Sequence, residues 1–170
     1  MSGYRGEAHW DKEGGGGVLQ LQAHHCFDRT AWLTDLAVRE VTCRVHAQGH
    51  AAPTAAQITA LLEGGAVAGI SLTFGTSYSA PPRSLFLLQG TRGQLEITED
   101  RHLRVWAAGG SSFEDHGGDD WLRRELSEFA GGVATGAVGT ATLRDGRAAL
   151  ACALAAARSA EEGGPVVVGV

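Results

Sequence analysis

The chain has 170 residues and a mass of 17.7 kDa, with 44% hydrophobic and 19% charged side chains. That is room for one domain with a real core, and it excludes a disordered tail or a coiled coil. The formal charge is −5 and Lys12 is the only lysine, so the clustered positive charge of a nucleic-acid or anionic-membrane surface is missing. No stretch reaches the roughly 20 apolar residues of a membrane span, and the first residues lack an apolar signal core. A cytoplasmic location with neither a nucleic-acid nor a membrane partner is expected. Cys26, Cys43 and Cys152 are odd in number, widely spaced and without a CxxC pair, and they read as buried thiols.

Residues 1–17 read as an irregular segment, with Tyr4 and Trp10 as anchors and Gly14 to Gly17 leading into the fold. Residues 18–170 read as a single domain. The glycine run is no dinucleotide fingerprint: counting on from Gly14/Gly16 and Gly15/Gly17, the third glycine of GxGxxG is replaced by Leu19 and Gln20. A GxxxxGK loop is absent as well.

Residues 18–34 lack Gly and Pro and predict a helix. On a helical wheel, Leu19, Ala23, Cys26, Phe27, Trp32 and Leu33 spread around most of the circle, which predicts a helix buried on most sides. Gln22, His25 and Arg29 fall within about 60° of one another, with Asp28 on the flank. Polar groups on an otherwise enclosed helix suggest the floor of a pocket. Adjacent His24 and His25 leave the helix about 100° apart and no i, i+4 histidine exists, so a zinc site built on His9, His24 and Cys26 is not expected.

From residue 37 the period changes to two: Val41, Cys43, Val45 and Ala47 alternate with Thr42, Arg44 and His46, as in a half-buried strand. Strands over 57–62 and 66–74 follow, joined as a hairpin at Glu63, Gly64 and Gly65. Further strands are predicted at 85–89, 94–98 and 103–107, and their short connections demand antiparallel neighbours. Leu85, Phe86, Leu87 and Leu88 make both faces of one strand apolar, so both need cover. Residues 108–118 read as a mobile Gly- and Ser-rich loop. A helix over about 119–131, capped by Asp119 or Asp120, turns Trp121, Leu122, Leu126 and Phe129 to a core. An alanine-rich helix over about 142–162 begins near Thr142 and ends before Pro165, and Ala149, Ala153, Ala156 and Ala157 let it lie close to a sheet. Val166 to Val168 close the chain as a strand. Arg83, Arg92 and Arg104 read as solvated surface, and no internal repeat is present.

The run Gly15-Gly16-Gly17-Val18-Leu19-Gln20-Leu21-Gln22-Ala23-His24-His25-Cys26-Phe27-Asp28, followed by Trp32-Leu33, resembles the helix that opens the C-terminal domain of the glucose-fructose oxidoreductase/inositol dehydrogenase (Gfo/Idh/MocA) family. The pattern there is GGGxLxDxGxHxxD, or GGGVLxNQAxHxxD in one branch. The downstream order is similar too: a Gly90-Thr91-Arg92-Gly93 turn before Leu95-Glu96-Ile97, a helix with Glu125 and Phe129, then Asp145-Gly146, Ser159-Ala160 and a valine strand. The resemblance implies an α+β fold, an open, largely antiparallel sheet of about six or seven strands with helices on one face and the other available for dimerisation.

It also implies a second domain without its first. Relatives carry a Rossmann domain for NAD or NADP ending in Glu-Lys-Pro, and this sequence has neither; it begins part-way into the usual second domain, shortened in nature or by excision. No cofactor is expected in this chain unless a separate Rossmann-domain dehydrogenase supplies NAD or NADP, and no metal is expected. By resemblance, His25 handles a proton at the substrate carbinol, work that suits an imidazole with its ordinary pKa near 6.5, and Asp28 orients it or caps a neighbouring strand. Gln22, Arg29, Tyr4 and Trp10 would contact a small sugar-like or polyol ligand. Leu21 stands where relatives place Asp or Asn, a departure that weakens dehydrogenase chemistry. The expected function is a substrate-binding and oligomerisation module acting as a homodimer. The alternatives are a cofactor-independent lyase, isomerase or cyclase with His25 as general acid/base, and an inactive relic.

Overall fold

A computed structural model describes residues 15–74, 83–118 and 120–169. The expected ligand contacts of Tyr4 and Trp10 therefore lie outside the described residues. The chain enters through a π-helical segment, Leu19–Ala23, that runs directly into α1, His24–Thr34. Strands β1 (Val38–His46), β2 (Ala55–Leu62) and β3 (Val67–Thr73) follow. Then come β4 (Leu85–Gly90), β5 (Gly93–Thr98), β6 (His102–Ala107) and β7 (Gly110–Asp115). Helices α2 (Trp121–Thr135) and α3 (Leu143–Glu162) precede β8, Val166–Val167. The α+β, antiparallel class agrees with the sequence reading. The eight strands among the described residues divide into two four-stranded sheets, ordered β3-β2-β1-β8 and β4-β5-β6-β7.

The described residues gather into two compact units, the first over 15–74 and 140–169, the second over 83–118 and 120–139. In the first, the period-two pattern of β1 and β2 turns Val41, Cys43, Ile58 and Ala60 to one face, where all four are fully buried. Helix α3 packs on β1 across that face, and α1 packs on α3. The close approach is possible because α3 presents Ala149, Ala153, Ala155 and Ala156 there, each at most 6% exposed. The opposite face carries Thr42, Thr59 and Gly69 in one cross-strand row and Arg44, Gln57 and Ser71 in the next. Helices therefore cover one face of this sheet.

A buried hydroxyl ties the layers together. Cys43 N–H donates to Ser159 Oγ at 2.8 Å, and Ser159 Oγ–H donates to the Gly164 carbonyl at 2.6 Å. Helix α3 starts in a reciprocal capping box, with the Thr142 hydroxyl accepting from Asp145 N–H and the Asp145 carboxylate accepting from Thr142 N–H. Helix α2 is capped by Asp120, which accepts from Arg123 N–H at 3.1 Å.

Three expectations need correction. Residues 108–118 hold strand β7, paired with β6 from His102↔Asp115 to Ala107↔Gly110; backbone pairing with a neighbour makes the strand where side-chain propensity is weak. Helix α2 forms as predicted, but Trp121, Leu122, Leu126 and Phe129 are 49% to 71% exposed rather than turned to a core. The helix over 18–34 is not enclosed. Its buried residues, Val18, Leu19, Ala23, Phe27 and Thr30, share one side, while Trp32 is 69% exposed.

In the second unit, register places Phe86, Leu88, Leu95, Ile97, Leu103 and Val105 on one sheet face, all half-buried. The other face mixes Leu85, Leu87, Trp106 and Phe113, all exposed, with Glu96 and Arg104. The Arg104 guanidinium lies 5.2 Å from the Phe113 ring centre. The expected cover for both faces of 85–88 is thus incomplete among the described residues.

Candidate functional site

The helix that bears the candidate residues is fixed at its start by the glycine run. Gly17 has φ +63°, and a Cβ there would lie 2.2 Å from the Pro53 carbonyl oxygen, so only glycine fits. The next residue, Val18, donates its N–H to that same carbonyl at 2.8 Å. Beside it, the Gln20 side chain fills the space next to Gly16. The turn is therefore occupied by the protein's own backbone and side chains.

From this start the π-helical segment places Gln22 half-buried, one turn before His25. In α1, His25 and Asp28 are exposed and Arg29 is half-buried. The structure brings His25, Asp28 and Arg29 within electrostatic reach of one another. It gives no direct hydrogen bond from Gln22 to any of them among the described contacts. His25, Asp28 and Trp32 follow at i, i+3 and i+7, which makes them one solvent-facing stripe. The pocket floor expected from the wheel is thus an open helix face, because the buried residues of the helix all lie on its other side.

Partial burial pushes the His25 imidazole below its ordinary value, and the neighbouring His24 pushes it the same way; Asp28 opposes them and Arg29 adds to the lowering. A ring so placed is neutral near pH 7 and able to accept a proton. The residue that sequence reasoning missed is His24. Its ring centre lies 4.0 Å from that of His25, with the planes tilted by 40°. A difference of about 100° between neighbouring side-chain directions argues against such a contact, yet the imidazoles lean together; only their adjacency in sequence hints at it.

The three cysteines are thiols, Cys43 and Cys152 buried and Cys26 half-buried. Burial pushes Cys43 and Cys152 each up to about 11, so they remain protonated and inert at neutral pH. Among the described residues, no three His, Cys, Asp or Glu side chains converge as metal ligands. A shallow depression of about 420 Å³ in the second unit is lined by Gln89, Arg92, Gln94 and Trp106, none of which was singled out for ligand contact. No helix is long and apolar enough to cross a membrane among the described residues.

With this geometry in place, comparison with known proteins gives the class. The GFO/IDH/MocA C-terminal domain profile matches residues 1–96, and the chain belongs to this family. Among solved structures, the chain is similar to a putative oxidoreductase from Thermotoga maritima, with 22% identity over 98% of this chain and 51% of that one, at a TM-score of 0.78. An oxidoreductase domain protein from Kribbella flavida gives 16% identity, 95% and 53% coverage, and a TM-score of 0.82. Levoglucosan dehydrogenase in complex with NADH and L-sorbose gives 17% identity, 95% and 52% coverage, and a TM-score of 0.81. The chain spans about half the length of these structures, and at such identities the likeness is one of fold. No curated protein sequence matches it.

Proposed function

We propose that the chain is the substrate-side half of an oxidoreductase of this family, a binding and association module that works against a nucleotide-binding partner and as a homodimer. The observation that carries this reading is the exposed stripe His25–Asp28–Trp32 on α1. An imidazole, a carboxylate and an indole facing water form one wall of a site. Proton transfer and polar recognition become effective only when a second wall excludes solvent. The sugar ligand in levoglucosan dehydrogenase supports a sugar-like or polyol ligand for this wall, with Gln22 and Arg29 flanking it. NAD or NADP would be supplied by the partner, since the glycine turn here is filled by Pro53 and Gln20. A stand-alone lyase, isomerase or cyclase has less support, because His25 lies open to water.

Association is supported by the sheet face of the second unit on which Leu85, Leu87 and Phe113 are 66%, 46% and 55% exposed. An exposed apolar patch of this kind marks an interaction surface or an aggregation hazard, and opposite charges on the same face, Glu96 and Arg104, suit a self-complementary contact.

Light scattering tests the association: a dimer at micromolar concentration is expected, reduced to a monomer by Leu87→Glu, and a monomeric parent chain overturns it. Calorimetry with NADH tests the division of labour: no binding is expected at micromolar concentrations, and micromolar affinity overturns it.

A further inference from the structure

We propose that His24 is a positioning residue for His25: the two imidazoles form a contact pair in which a charge on His24 disfavours a charge on His25, so that His25 stays ready to accept a proton from a ligand hydroxyl. The proposal rests on the reading of His25 as the proton-handling group. Its basis is geometric. Ring centres 4.0 Å apart leave no room for water between the imidazoles, so a charge on one is felt directly by the other. The contact sits in the first turn of α1, immediately after the π-helical segment Leu19–Ala23, and such segments recur where a helix is re-aimed for function.

The charged and titratable groups acting on His25 are His24, Asp28 and Arg29, all on the same helix. They pull in different directions: His24 and Arg29 favour the neutral ring, and Asp28 favours the protonated one. Without His24, Asp28 would hold His25 closer to the charged state, in which it can donate a proton but not accept one.

The test is an NMR titration of the histidine rings in the whole chain, with His25 assigned from His25→Gln. The His25 midpoint in the parent protein is the reference for each variant. His24→Phe keeps a ring in contact and removes its charge, and His24→Gln removes both. The His25 midpoint should rise in each, by up to about three-quarters of a unit, the effect of two unit charges about 4 Å apart in water. It should fall in Asp28→Asn. An unmoved midpoint in either folded His24 variant overturns the pairing. The titration needs no ligand, so a monomeric or NADH-binding chain would defeat the functional reading and leave the pair standing, while unshifted midpoints would do the reverse.

Discussion

At the scale of single residues, Ser159 has the largest consequence for stability. Its hydroxyl is fully buried and serves both as acceptor for Cys43 N–H and as donor to Gly164. Ser159→Ala leaves a buried amide without a partner and should cost about 2 kcal/mol, read as a lower urea midpoint. Buried Cys43 and Cys152 make a second prediction. Each rises from an ordinary value near 9 to about 11 on folding. The folded state then binds more protons than the unfolded one between those values, so stability is full below pH 9 and is lost as pH rises towards 11. Thermal melts across that range should show Tm falling steadily, and Cys152→Ala should flatten the slope. At this scale the sequence was informative about identity and poor about environment. The helix that carries His25 and Asp28 was legible, but their exposure was not, because a wheel cannot say which arc meets a neighbour. Cys43 and Cys152 were legible as buried because each stands in an apolar repeat.

At the scale of elements, caps and periodicity located most of the structure. Thr142, Asp120 and the two-residue alternation of β1 each carry a local physical cause that needs no tertiary partner. Thr142→Ala removes one half of the capping box and should lower stability by about 1 kcal/mol, with helicity lost first at the start of α3; an unchanged unfolding midpoint would contradict this. Strand β7 was not legible. Gly110, Ser111 and Ser112 have little intrinsic preference for extended backbone, and the strand exists because β6 offers a row of donors and acceptors. The tip of that neighbouring pair is sterically exacting: a Cβ at Gly93 would lie 2.2 Å from the Trp106 carbonyl oxygen, so β5 and β6 meet there through bare backbone. Helix α2 shows the opposite failure. Its amphipathic stripe was read correctly and its cap confirmed, but amphipathicity says only that one side prefers an apolar neighbour, not that it has found one.

At the scale of the whole molecule, the division of eight strands into two sheets follows from the connections. Within each sheet β2 to β3, β4 to β5, β5 to β6 and β6 to β7 are joined by short turns that enforce antiparallel pairing, and all but the last of these were legible. Strand β3 ends at Thr73 and β4 begins at Leu85, and nothing in the composition between them says whether the next strand joins the same sheet or begins another. Family resemblance supplied the class of fold but not this division. The expected homodimer belongs to this scale as well. If Leu85, Leu87 and Phe113 are covered by a second copy, the association should weaken little with added salt, because apolar contact rather than ion pairing would carry it; a strong salt dependence would point to Glu96 and Arg104 instead.

The bond from Cys43 to Ser159 joins positions 116 residues apart, and β8 pairs with β1 at Glu40↔Val167. The second unit, in contrast, is assembled from hairpins whose partners are near neighbours in sequence. During synthesis its hairpins can zip up while the first sheet still waits for its last helix and strand. Loop-closure entropy makes such distant pairing slow, so the helix bearing His25 acquires its final seat only once α3, on which it packs, has left the ribosome.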